Sequence, residues 1–127
     1  MIVAGVGCRR GTSADEIERV VRLALGTFEL STERLEAIAT EEEKSREPGF
    51  PEAARRLSAR LMTCSRTDLD RVAEQVLTRS DRVLEAKGLP SIAEASALVA
   101  AGRNGRLLGP RVATRRATCA IACGESR

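Results

Sequence analysis

The chain has 127 residues, 43% of them apolar, 31% charged and 2% aromatic, with a formal net charge of +3. This length and balance fit one globular domain over residues 1–127; they are too apolar for disorder, and no run approaches the ~20 apolar residues needed to cross a bilayer. Histidine, tryptophan and tyrosine are absent, which excludes Ser-His-Asp and Cys-His catalysis, imidazole metal ligands and aromatic platforms for single-stranded nucleic acid.

The start, MIVAGVGCRR, carries no signal-peptide pattern, and the chain reads as a soluble cytoplasmic domain. Ile2–Val6 is a short β-branched run bounded by Gly7, the pattern of a buried strand. A loop over Gly7–Thr12 leads to a helix opened by Ser13, which forms a capping box with Glu16. Ile17, Val20, Val21, Ala24 and Phe28 recur at helical spacing, so one face of this helix packs on a sheet. Leu35–Thr40 reads as a second strand, followed by an exposed charged loop over Glu41–Glu47.

Pro51 is placed as the first residue of a helix over Glu52–Ala59. Arg60–Cys64 reads as a third strand, and Thr67 and Asp70 open a helix with Leu69, Val72, Ala73 and Val76 on one face. Ser80–Ala86 is a short helical turn ended by Gly88. Pro90 and Ser91 start another helix, with Ser91 and Glu94 as a second capping box and Gly102 as its stop. Arg106–Leu108 and Ala117–Ala122 are the last strands, separated by a basic loop. Strand and helix alternate, which predicts an α/β fold: a layered α/β/α domain with a mainly parallel sheet.

The segment from Gly5 to Ser13, GVGCRRGTS, joins a strand to a helix, the place where open α/β sheets bind ligands. Gly7 and Gly11 let backbone approach an anion, the helix start offers unpaired N–H groups, and Arg9, Arg10, Thr12 and Ser13 add side-chain donors. Carboxylate and phosphate both suit such a loop; a plain tight turn with solvated arginines has the same sequence. The dinucleotide fingerprint is not met, because the third glycine, Gly11, falls one residue late, although Glu41 stands where an acidic ribose ligand would. The P-loop ending G-K-[ST] is also missing.

The acidic stretch Thr40–Gly49 reads on composition as a solvated loop, and nothing in it shows the burial that would split two carboxylates into acid and base. Cys8, Cys64, Cys119 and Cys123 match no zinc spacing, and four residues along a strand separate Cys119 from Cys123 by about 13 Å. They read as buried thiols used as small hydrophobes. Cys8, beside Arg9 and Arg10, has in addition the setting of a thiolate. From Arg103 to Arg127 six arginines stand against Glu125 alone, and without aromatics this basic tail points to an anionic small molecule rather than nucleic acid.

In order along nearly the whole chain, VAGVGCRRGTS over 3–13, Lys44 with EPG over 47–49, GLPSIAE over 88–94, Ala97-Leu98, Leu107–Arg111 and ATCAIA over 117–122 resemble the CobE family, whose domain also forms the C-terminal part of CbiG. The resemblance implies a role in making the corrin ring of cobalamin. CbiG-type proteins open a lactone on a cobalt-bound tetrapyrrole and release a two-carbon fragment, whereas stand-alone CobE-type proteins belong to the aerobic branch, where that fragment leaves by another route. The function expected here is binding and carriage of a polycarboxylate precorrin or hydrogenobyrinic-acid-type intermediate, with no catalytic residue, metal or cofactor of its own. The two alternatives are a lactone hydrolase with Glu47 or Glu94 as general base, and a scaffold for neighbouring pathway enzymes.

Corrin precursors surround an apolar macrocycle with acetate and propionate arms. The glycine loop from Gly7 to Ser13, a second helix start at Ser91 and basic residues near Arg111 and Arg115 suit such a ligand. The matched motifs add Lys44, Glu47 and Glu94 to the candidate ligand-binding set, Cys8 included. Further expectations are no nucleic acid, no membrane and a possible homodimer, the commonest closed association.

Overall fold

The computed structural model describes residues 1–73 and 91–125. The β-branched start builds β1 (Ile2–Cys8), and Ser13 caps α1 (Ala14–Thr27) by accepting the Glu16 N–H. A 3-10 turn at Thr32–Arg34 leads to β2 (Leu35–Glu41), then to the short α2 (Glu42–Ser45) and α3 (Gly49–Arg56). β3 (Arg60–Cys64) and α4 (Arg66–Arg71) follow directly, with Ser65 accepting the Asp68 N–H as cap. α5 (Ile92–Ala101) is capped by Ser91 through the Glu94 N–H and stopped by Gly102 at φ +73°. β4 (Arg106–Leu107), β5 (Val112–Ala113) and β6 (Ala117–Cys123) complete the order.

The sheet runs β3-β2-β1-β6-β4, and β5 also pairs with β6. β1, β2 and β3 are parallel, while β6 runs antiparallel to β1, β4 and β5. Five strands therefore point one way and β6 alone runs against them, and helices cover both faces, as the α/β/α expectation has it. A register shift at Ile2/Val3 skips Glu36, which lets Leu35 and Ile38 face the same side of β2.

Pleat alternation divides the interior into two cores. Ala4 and Val6 of β1 with Cys119 and Ile121 of β6 meet Ile17, Val20, Val21 and Leu25 of α1 and Phe50 of α3. On the other face Val3, Ala37, Ala39, Ala120 and Ala122 meet Leu69 of α4 and the alanines of α5. Small residues bring α5 very close to the sheet: a Cβ on Gly5 would lie 2.0 Å from the Ala93 oxygen and 2.4 Å from the Ala97 nitrogen.

Several boundaries differ from the sequence reading, some of them through contacts remote in sequence. β1 continues through Gly7 and Cys8 because these pair with Thr118 and Ala117. Glu41 belongs to β2, pairing with Cys64, and the supposed loop after it contains α2. α3 begins at Gly49 rather than Pro51, so the proline sits in the first turn, where its missing N–H costs nothing. α4 begins at Arg66, ahead of Thr67. The stretch read as a basic loop holds β5. Phe28 stands at the end of α1, half-buried against the first core. Val76, the turn at Ser80–Ala86, Gly88 and Pro90 lie outside the described residues.

Candidate anion-binding site

The carboxyl ends of β1, β2 and β3 and the amino end of β6 meet at one edge of the sheet. α1 and α4 start there, and so does α5, since a Cβ on Gly7 would lie 3.4 Å from Ile92 Cβ. Parallel strand order thus gathers helix starts at the end where α/β sheets bind ligands.

The loop over residues 9–13 crosses this edge in a fixed shape. The Arg9 N–H continues the β1–β6 ladder to the Arg116 oxygen at 3.0 Å. Thr12 closes a turn on the Arg9 oxygen, with its hydroxyl donating at 2.6 Å and its N–H at 3.3 Å. Arg116 Nη2 donates to the Arg10 oxygen at 3.1 Å. Gly11 has φ +78°, a conformation side chains disfavour, and its N–H donates to Glu47 Oε1 at 2.9 Å. From the far side α3 abuts the loop, since a Cβ on Gly49 would lie 2.6 Å from the Thr12 oxygen.

Two cavities flank this loop and share Arg10. One, of about 590 Å³, is lined by Gly7, Cys8, Arg9, Arg10, Lys44 and the hairpin residues Thr114–Thr118. Five cations line it, Arg9, Arg10, Lys44, Arg115 and Arg116, and no carboxylate does. The other, of about 670 Å³, lies over the start of α1 and is lined by Arg10–Ala14, Glu47–Gly49 and Glu52. The first is electropositive throughout; the second carries two acids. Among the described residues no group of three or more His, Cys, Asp or Glu is placed to hold a metal, and no helix is long and apolar enough to cross a membrane.

Titration separates the candidate reactive groups. Burial, the largest influence on Cys8, raises its thiol pKa above the ordinary value, and a Thr12 hydrogen bond and the Lys44 charge only partly offset it. The hydrogen bond from Gly11 is the largest influence on Glu47 and holds its carboxyl below the ordinary value, with Lys44 acting in the same direction. Cys64 is buried and pushed up to about 11, and burial raises Cys119 as well. These two thiols are packing residues, as read from the sequence, while Cys8 and Cys123 are half-buried.

The structure brings Gly7, Cys8, Arg9, Arg10 and Lys44 to the basic cavity, and Gly11, Thr12, Ser13 and Glu47 to its neighbour. Ser91 and Glu94 are buried at the start of α5 and line neither. Arg111 lies between β4 and β5, partway along the sheet, and also lines neither. Gly5 does not belong to the loop at all; it is the close-packing point beneath α5. Arg116 was not singled out by sequence, because only the β5–β6 hairpin, with Ala113 opposite Thr118, turns it back onto Arg10.

The α/β fold thus gathers five cations around one cavity at the carboxyl end of its central strand. The chain belongs to the family described as cobalamin synthesis G C-terminus, whose model matches residues 2–122. It is similar to Protein CobE of Sinorhizobium sp, 28% identical over 121 residues, covering 95% of this chain and 79% of that protein. A crystal structure of CobE from the cobalamin (vitamin B12) biosynthetic pathway superposes with a TM-score of 0.88 at 32% identity, over 96% of this chain and 89% of that one. The cobalt-precorrin-5A hydrolase of Priestia megaterium is 31% identical over 102 residues, 80% of this chain but 27% of that enzyme, so the chain spans about a quarter of that relative. This is a cobalamin-biosynthesis protein of the CobE and CbiG type.

Proposed function

We propose that the protein binds a polycarboxylate precorrin or hydrogenobyrinic-acid-type tetrapyrrole in the basic cavity and hands it on without chemical change. The observation that carries this reading is the convergence of Arg9, Arg10, Lys44, Arg115 and Arg116 on one cavity whose lining contains no acid. Guanidinium groups take carboxylates in bidentate fashion, and the pinned loop backbone need not reorganise at binding. The name of the hydrolase relative supports the precorrin class.

Hydrolysis is not part of the proposal. A general base works best with a pKa near the operating pH, and Glu47 is shifted the other way by Gly11 and Lys44. Glu94 is fully buried and lines neither cavity.

Gel filtration of the protein mixed with hydrogenobyrinic acid or a late precorrin tests the reading. Unmodified polypeptide does not absorb visible light, so colour in the protein peak belongs to the ligand. Co-eluting colour with unchanged ligand mass is the expected result, and Arg9→Ala with Arg10→Ala should weaken binding by about 1–3 kcal/mol per lost charge-assisted contact. Loss of a two-carbon fragment would make the protein a hydrolase. A colourless peak would refute binding and leave the scaffold role.

A further inference from the structure

We propose that Glu47 is the positioning residue of the anion loop, and that it holds Lys44 in reserve until a ligand carboxylate takes it. This inference rests on the binding reading above and adds how the loop and its lysine are held. The two oxygens of Glu47 have separate duties. Oε1 accepts the Gly11 N–H at 2.9 Å. Because Thr12 closes on the Arg9 oxygen, fixing Gly11 fixes the turn that carries Arg9 and Arg10. Oε2 faces Lys44 Nζ at 3.4 Å, well beyond the 2.7–2.9 Å of a strong charge-assisted bond.

Lys44 therefore stands between two claims. It lines the basic cavity, while Glu47 lines the neighbouring one, so their ion pair spans the wall between the two. With side chains only 17% and 22% exposed, the pair is shielded from full solvent screening. Glu47 offsets one of five clustered cations, whose mutual repulsion would otherwise push the loop outward. A ligand carboxylate approaching at normal distance outcompetes the long Glu47 contact and draws Nζ into the cavity. Glu47 keeps Gly11 throughout, so the loop does not reorganise.

Two substitutions with opposite expected signs test this. In Glu47→Gln the amide oxygen still accepts from Gly11, but its NH₂ cannot accept from Lys44, which is released to the cavity. Affinity should rise about two- to fivefold, the worth of a partly exposed ion pair. In Glu47→Ala Lys44 is released as well but the Gly11 clamp, worth about tenfold, is lost, so affinity should fall about two- to fivefold net. The probes are hydrogenobyrinic acid and uroporphyrin, a tetrapyrrole with acetate and propionate arms, titrated by absorbance. In a Lys44→Met background Glu47→Gln should bring no gain.

Equal weakening by Gln and Ala, or a Gln gain that persists without Lys44, would overturn the proposal. Amide hydrogen exchange at Gly11 supplies a readout independent of ligand: protection should survive in Glu47→Gln and vanish in Glu47→Ala. If neither tetrapyrrole binds the wild-type chain, the binding reading fails alone, and Gly11 protection retained in Glu47→Ala would then overturn the clamp separately.

Discussion

Cys8 shows how a residue's neighbours in sequence and in space differ. Two arginines follow it, the setting that lowers a thiol pKa elsewhere. In the folded chain Arg9 and Arg10 are exposed, while Cys8 is half-buried at the end of β1, and desolvation dominates. Lys44 and Arg116 do pull the pKa down, but burial sets the sign of the net shift. The thiol form thus prevails at neutral pH, and the thiolate fraction lies below that of a free cysteine. At pH 7.5 Cys8 should react with iodoacetamide more slowly than a model thiol, its rate climbing as pH passes 9. Peptide mass spectrometry of timed quenches reads this directly. A rate at or above the model thiol at pH 7.5 would restore the activated-thiolate reading.

Helix placement on the sheet is decided by residues without side chains. α5 rests on β1 at Gly5, and the atoms a Cβ would strike are backbone atoms of Ala93 and Ala97, which no rotamer change can move aside. Gly5→Ala should therefore force α5 outward and cost about 3 kcal/mol or more, in the upper range for overpacked cores. Ser13→Ala, which removes only a cap, should cost about 1 kcal/mol. Urea unfolding of the two variants compares them; equal small losses would mean the helix accommodates the methyl group. The same contrast explains what the sequence makes legible. The capping serines Ser13 and Ser91 act within one turn, and both cap their helices where the local sequence puts them. The strand patterns at 35–40 and 60–64 are likewise local. β5 is only two residues long and shows no strand pattern of its own, whereas the extension of β1 and the role of Gly5 depend on partners about 110 and 90 residues away, as in the pairing of Cys8 with Ala117. At the site, loop composition revealed Arg9 and Arg10. Strand register alone brings Arg116 to them.

Over the whole molecule, the described arginines of the C-terminal quarter fall at separate places. β6 reverses the chain, so Arg115 and Arg116 meet Arg9 and Arg10 at the carboxyl end of β1. Arg106 instead pairs with Cys123, which lies opposite Ile2 at the other end of that strand. Seven residues of strand place these groups about 20 Å apart. That exceeds two Debye lengths at physiological salt, about 8 Å each, so charge at one end is scarcely felt at the other. Arg103, exposed beyond the end of α5, shares the remote end, where its oxygen accepts the Glu125 N–H. Net charge alone would make Arg103 and Arg115 equivalent, since each contributes one unit to the same tail. Geometry makes them unequal. Arg115→Ala should weaken tetrapyrrole binding about tenfold, the value of one charge-assisted contact, with the loss shrinking as salt rises. Arg103→Ala should leave affinity within twofold of the wild type at every salt concentration. Absorbance titrations of both variants from about 50 to about 500 mM NaCl, over which the Debye length shrinks about threefold, separate the cases. Equal losses would mean that the ligand is attracted by the tail's overall charge, and the basic cavity would lose its claim as the binding site.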